Sequence, residues 1–109
     1  MKRPVIDKAE VAVDFPDKFY HGSFDRDSTF DVHADTHGVH IDLDRQAGER
    51  RHVGFHLHFF LLAGIIEALA QALSKKDLMN QGQRAALERA VTKLDKALKR
   101  SAGKAKPKR

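Results

Sequence analysis

The stretch FDVHADTHGVHIDLD, residues 30–44, decides the fold. Phe30, Val32 and Ala34 alternate with Asp31, His33 and Asp35; Val39, Ile41 and Leu43 then alternate with His40, Asp42 and Asp44. An apolar–polar period of two is the pattern of a strand with one face in a core. Asp35, Thr36, His37 and Gly38 between the two runs are turn formers, so the runs make an antiparallel hairpin. Parity sets its register, because a slip of one residue would turn every apolar side chain to the wrong face. Ala34 pairs with Val39, Val32 with Ile41 and Phe30 with Leu43. The same register sets His33 opposite His40, and Asp31 opposite Asp42, on the polar face. It needs a loop of two or four residues, since a three-residue loop would oppose apolar to polar.

The alternation resumes downstream. After a turn at Gln46–Glu49, Val53, Phe55 and Leu57 alternate with Gly54, His56 and His58. This third strand is antiparallel to the second, and one allowed register lays His56 beside His40. Upstream, Val11, Val13 and Phe15 predict a strand near residues 10–15 that stops at Pro16. Residues 16–28 are ambiguous: Phe19, Tyr20 and Phe24 suit a core, His21-Gly22-Ser23 resembles a turn, and a short strand fits on either side. The first eight residues read as a flexible end.

At Phe59 the period changes. Residues 59–74 are rich in Leu, Ala and Ile without alternation, which predicts a helix, although no Ser, Thr, Asp or Asn caps its start and it could begin as early as His56. Its apolar residues cover most of its circumference, so it should be buried on more than one side. Asn80 with Gln83 resembles a capping box that opens a last helix running to about Arg100. Leu87, Val91, Leu94 and Leu98 form a single apolar stripe on it. Residues 101–109 read as a disordered basic tail. The expected architecture is α+β: one domain over residues 9–100, with an antiparallel sheet of three to five strands followed by two helices packed on its apolar face.

Composition narrows the function. The 109 residues are 41% hydrophobic and 32% charged, as in a globular domain. The chain has no cysteine, which excludes disulfides, thiolate metal sites and thiol catalysis. The start lacks a signal-peptide pattern, and the longest apolar stretch, Phe59 to Leu73, is short for a membrane span and carries Glu67 and Gln71. A cytoplasmic location is the expectation. The net charge of +5 is unevenly placed. Residues 1–74 hold 8 Lys/Arg against 12 Asp/Glu, a balance of −4; residues 75–109 hold 12 against 3, a balance of +9.

Two constellations carry chemistry. Arg89, Lys93, Lys96 and Arg100 recur at i, i+4, i+7 and i+11, roughly opposite the leucine stripe. A one-signed stripe of this kind neutralises phosphates and binds polyanions with strong salt dependence. The same pattern also suits a plain solvated helix face. No aromatic residue interleaves with it, so base stacking is unsupported. The second constellation is the row His33, His40 and His56 across three strands, with His58 and Asp42 beside it. Neutral imidazoles bind zinc, copper or nickel, and three of them leave a position open. His and Asp also serve simply as the wet side of a half-buried sheet. His52 and His56 would be ligand neighbours only if the helix started early, which Gly54 and the alternation oppose.

Other signals fail. Asp25, Asp27 and Asp31 lack the glycine and terminal glutamate of a calcium loop. Ser23 has no nucleophile elbow, the glycines form no phosphate loop, and Glu49 and Glu67 have no partner for acid–base work. The expectation is a small non-enzymatic interaction module. It would be homodimeric through the apolar helix 59–73 and would meet an acidic partner such as nucleic acid through the basic helix and tail. The alternative is a metal-binding protein using the histidine face.

Overall fold

The structure, a computed structural model, describes residues 2–105, and their side chains as far as Arg100. The chain is α+β. Six strands, β1 (Arg3–Pro4), β2 (Ala9–Phe15), β3 (Lys18–Phe24), β4 (Ser28–Ala34), β5 (Gly38–Arg45) and β6 (Arg51–His58), precede two helices, α1 (Phe59–Ser74) and α2 (Gln81–Ala105). The strands form two antiparallel sheets, a four-stranded one in the order β1-β4-β5-β6 and a two-stranded one of β2 and β3. Residues 1–68 make one compact unit and residues 69–109 a second.

The hairpin β4–β5 has the register that parity demands. Ala34 pairs with Val39, Val32 with Ile41 and Phe30 with Leu43; His33 faces His40 and Asp31 faces Asp42. Four residues, 35 to 38, separate the paired Ala34 and Val39, and the Asp35 N–H donates to the Gly38 carbonyl at 3.0 Å. Strand β6 then lies with Phe55 against Ile41, Leu57 against Val39 and His56 against His40. Nine apolar residues from β4, β5 and β6 therefore share one face, and the histidines and aspartates share the other.

Gly38 makes the end of β5 possible. It is buried opposite His58. A Cβ there would strike the Leu57 carbonyl oxygen and lie 2.8 Å from the His58 Cα, so any other residue would push β6 away.

Three expectations are corrected. The segment His21-Gly22-Ser23 is strand, not turn. The turn is Pro16-Asp17, because Phe15 pairs with Lys18 and the whole of β3 returns along β2 as far as Phe24 opposite Ala9. Proline with its fixed φ, followed by aspartate, suits that position. The first eight residues contribute β1, where Arg3 and Pro4 pair with Phe30 and Thr29. Val5 is buried there and donates its N–H to the Ser28 carbonyl at 3.0 Å. No local pattern announces a two-residue strand whose partner lies so far along the chain, with Arg3 opposite Phe30 and Pro4 opposite Thr29. Finally, α1 is not buried on several sides within one chain: none of its residues is buried.

Helix α1 begins at Phe59, where the sequence period changes. Helix α2 opens on the anticipated cap. The Asn80 side chain accepts the Gln83 N–H at 2.8 Å, and the Gln83 side chain accepts the Asn80 N–H at 3.0 Å. Two of the four N–H groups that a helix start leaves without partners are thus satisfied. Helix α2 continues past Arg100 to Ala105; the remainder of the basic tail expected over 101–109 lies outside the described residues.

Candidate metal centre

The polar face of the four-stranded sheet is built by alternation alone. Asp31, His33 and Asp35 come from the β4 side, Gly38, His40, Asp42 and Asp44 from β5, and His52, Gly54, His56 and His58 from β6. Cross-strand pairing stacks the rings. The His33 and His40 rings lie 4.7 Å apart between centroids and 6° from parallel; His40 and His56 lie 3.9 Å apart and 11° from parallel. His58 is tilted against His56 at 4.8 Å, and His37, in the turn, is tilted against His58 at 6.4 Å. Five imidazoles thus run from the middle of the sheet to its turn end.

Two groups of side chains on this face bring three ligand atoms within 4.8 Å of one another. The first is Asp35, His40 and His56. Asp35 is held from below by its own turn, where Oδ1 accepts the N–H groups of His37 at 2.8 Å and Gly38 at 3.0 Å. Its other oxygen is thereby aimed at His40, with Oδ2 to Nε2 at 3.0 Å. The second group is Asp31, His33 and Asp42, with His33 Nδ1 3.6 Å from Asp31 Oδ2.

Charges on the face are arranged to relieve one another. Asp31 and Asp42 are directly opposed, a like-charge pair that costs stability. Asp42 is answered from β6, where His52 Nε2 lies 3.2 Å from its Oδ1. That contact needs Gly54: a Cβ there would come within 2.9 Å of the same oxygen. Hydrogen bonds from the His37 N–H, then the His40 side chain and the Gly38 N–H, hold the Asp35 carboxyl far below the ordinary 3.8. Loss of solvent, followed by the neighbouring His40 and His58 rings, pushes His56 below the ordinary histidine value. An ionised carboxylate beside a neutral imidazole is the protonation state that a cation requires of its ligands.

Of the residues singled out in the sequence, His33, His40 and His56 do lie in one row, but they divide between the two groups. His40 and His56 go with Asp35. His33 and Asp42 go with Asp31, and His58 stands beside the row. Asp35 reads as a turn former in the sequence and was not among the candidate ligands, although the same parity that places His33 on the polar face places Asp35 there too. His52, a ligand neighbour of His56 only in a helix, is a strand residue and serves Asp42 instead.

The basic stripe is also in place on α2. Arg89, Lys93, Lys96 and Arg100 are all exposed. Among the described residues no ion pair engages any of them, whereas Lys99 pairs with Asp95 at 3.0 Å and Arg84 with Asp77. No protein-family model matches the chain, and no match was found among curated proteins or solved structures.

Proposed function

We propose that this protein binds a transition-metal ion through Asp35, His40 and His56. One observation carries the reading: Asp35, whose Oδ1 is fixed by two backbone N–H groups, holds its Oδ2 3.0 Å from His40 Nε2, with a His56 nitrogen in the same cluster. Ligands at about 2.0–2.2 Å from a zinc ion stand roughly 3.0–3.5 Å from one another, so an ion held by both imidazoles requires the His40 and His56 rings, now 11° from parallel, to turn toward each other. Two imidazoles and one carboxylate suit zinc, copper or nickel, and three protein ligands leave a further position for water. His33 stacks on His40 at one side of the set, and His58 lies tilted against His56 at the other.

Titration calorimetry on untagged, chelator-treated protein tests the reading with zinc, copper and nickel in turn. One equivalent should bind, with affinity reduced at least tenfold in Asp35→Asn, His40→Ala and His56→Ala. Binding that survives His40→Ala would sink the assignment, as would the absence of binding by all three metals.

A second reading rests on a separate observation, the four exposed cations of α2 that form no ion pair among the described residues. It makes α2 a contact for an acidic partner, nucleic acid first. Such binding is sequence-independent and weakens steeply with salt. Replacing Arg89, Lys93, Lys96 and Arg100 with Gln should abolish it while leaving the circular dichroism spectrum unchanged. Equal affinity of the variant and the native chain for a duplex would dismiss it.

A further inference from the structure

We infer that the polar sheet face holds a second cation site, built from Asp31, His33 and Asp42, for a divalent ion harder than the one proposed for Asp35, His40 and His56. It adds an ion to the metal-binding reading without using any ligand of the first set, so each set can stand or fall alone.

Strand geometry brings the three side chains together. Asp31 and His33 are two residues apart on β4 and so share a face, and Asp42 lies on β5 directly opposite Asp31. One ligand atom from each is within 4.8 Å of the other two. His33 Nδ1 is 3.6 Å from Asp31 Oδ2. That is close to the roughly 3.0–3.5 Å between neighbouring ligands of a four-coordinate ion. Only one imidazole takes part. Its lone pair lies in the plane of the ring, so an ion at Nδ1 leaves the stack of His33 on His40, 6° from parallel, in place. The first set has two stacked rings to turn toward each other; this set has none.

Two further observations point to a cation. The first is electrostatic. Asp31 and Asp42 oppose each other with side chains only 23% and 29% exposed. Like charges directly opposite destabilise a sheet, and partial removal from water strengthens their repulsion. A divalent ion between them turns one repulsion into two attractions. The second is spatial. The polar-face positions of β6 are His52, Gly54, His56 and His58, and the one that pairs with Asp42 is the glycine. A Cβ at Gly54 would stand 2.9 Å from Asp42 Oδ1 and 3.5 Å from His52 Cε1. Beside this carboxylate, the row of side chains on β6 is interrupted and space is left open. His52, 3.2 Å from Asp42 Oδ1, steadies the carboxylate. A carboxylate accepts at two oxygens, so that contact does not exhaust its capacity for a cation.

The donor set selects the ion. Two carboxylates and one imidazole are harder than two imidazoles and one carboxylate. Carboxylate oxygen suits manganese, whereas imidazole suits zinc, copper and nickel. Manganese(II) is therefore the ion that separates the two sets.

The test titrates manganese(II) alone into the untagged, chelator-treated full-length chain and follows the electron paramagnetic resonance signal of the free ion. Native protein should take up one equivalent. Uptake should persist in Asp35→Asn and in His56→Ala, which disable the first set. Asp31→Asn and Asp42→Asn should each weaken it roughly tenfold or more with an unchanged circular dichroism spectrum. Asp25→Asn, at an exposed position before β4, should leave it unaltered. Spin-echo modulation of the bound ion should show an imidazole nitrogen that disappears in His33→Ala. No uptake by the native chain would overturn the inference outright. Equal affinity in Asp31→Asn, Asp42→Asn and Asp25→Asn would overturn it as diffuse attraction to an acidic surface. Uptake lost in Asp35→Asn and His56→Ala would overturn it by returning the ion to the first set, and a nitrogen that persists in His33→Ala would overturn the choice of ligands. A native chain that binds manganese in this pattern but no zinc, copper or nickel would remove the first set and support this one.

Discussion

Asp35 and His40, five residues apart, meet across the turn that separates them, with Oδ2 of the one 3.0 Å from Nε2 of the other. The contact joins the stability of the hairpin to the chemistry of its polar face. The carboxylate that fastens the turn is the same one that faces the imidazole row, so a change at either residue acts on both.

The first prediction concerns pH. His56 is pushed below the ordinary histidine value of 6.5. Between that value and its own lowered one, the unfolded chain takes up a proton that the folded chain refuses. Stability therefore falls as pH drops below about 6.5, and it is fully present above that value. Asp35, also lowered, acts in a separate window: its contribution is present above 3.8 and is lost on further acidification. Thermal midpoints of the metal-free protein should decline in both windows. The upper decline should flatten in His56→Phe, and the lower one in Asp35→Asn. Affinity for zinc should fall with the upper window, because protons and metal compete for the same nitrogen.

The same substitution should have opposite signs at two glycines. Gly38→Ala places a methyl group against the Leu57 carbonyl and the His58 Cα, with no flexible side chain to yield. It should cost about 1–3 kcal/mol or more, read as a lower urea midpoint. Gly64 lies inside α1 with nothing within 4 Å of its missing Cβ. Gly64→Ala should add about 0.5–1 kcal/mol of stability, the usual gain of alanine over glycine in a helix, read as a higher midpoint.

Helix α2 should depend measurably on its cap. Asn80→Ala leaves the Gln83 N–H without its acceptor and should cost about 1 kcal/mol. Because the two side chains serve each other's backbone, Asn80→Ala combined with Gln83→Ala should cost less than the two single losses added together.

If α2 engages a duplex, each phosphate contact removed should lower the salt slope by roughly one unit. Lys93→Gln and Lys96→Gln should each show that change in a fluorescence titration over several salt concentrations. Lys99→Gln should change it less, since Lys99 already pairs with Asp95.

Legibility in the sequence followed the range of the interactions. The hairpin from Phe30 to Asp44 could be read to the residue because alternation and turn length leave one register. The third strand followed from the same period, and the end of β6 from its change at Phe59. The pairing of Arg3 and Pro4 with β4 could not be read, since two residues carry no period. The strand β3 was hidden for another reason: His21, Gly22 and Ser23 look like turn formers, and the exposed Phe19 and Tyr20 blur the alternation. The histidine row was legible because neighbours across strands inherit the register. The place of Asp35 in it was not, because a turn-forming sequence does not declare which backbone N–H groups its carboxylate will accept, and here those bonds aim the side chain at His40.

Strand β1 covers only Thr29 and Phe30 on the outer side of β4. From Val32 to Ala34 no further strand pairs on that side among the described residues, and Val32 is 53% exposed. A bare edge is a template on which a foreign strand can grow. The sheet is therefore finished on one flank by a fragment of two residues, and crowding should extend it there before anywhere else along β4. Handling concentrated samples means protecting three residues' width of backbone.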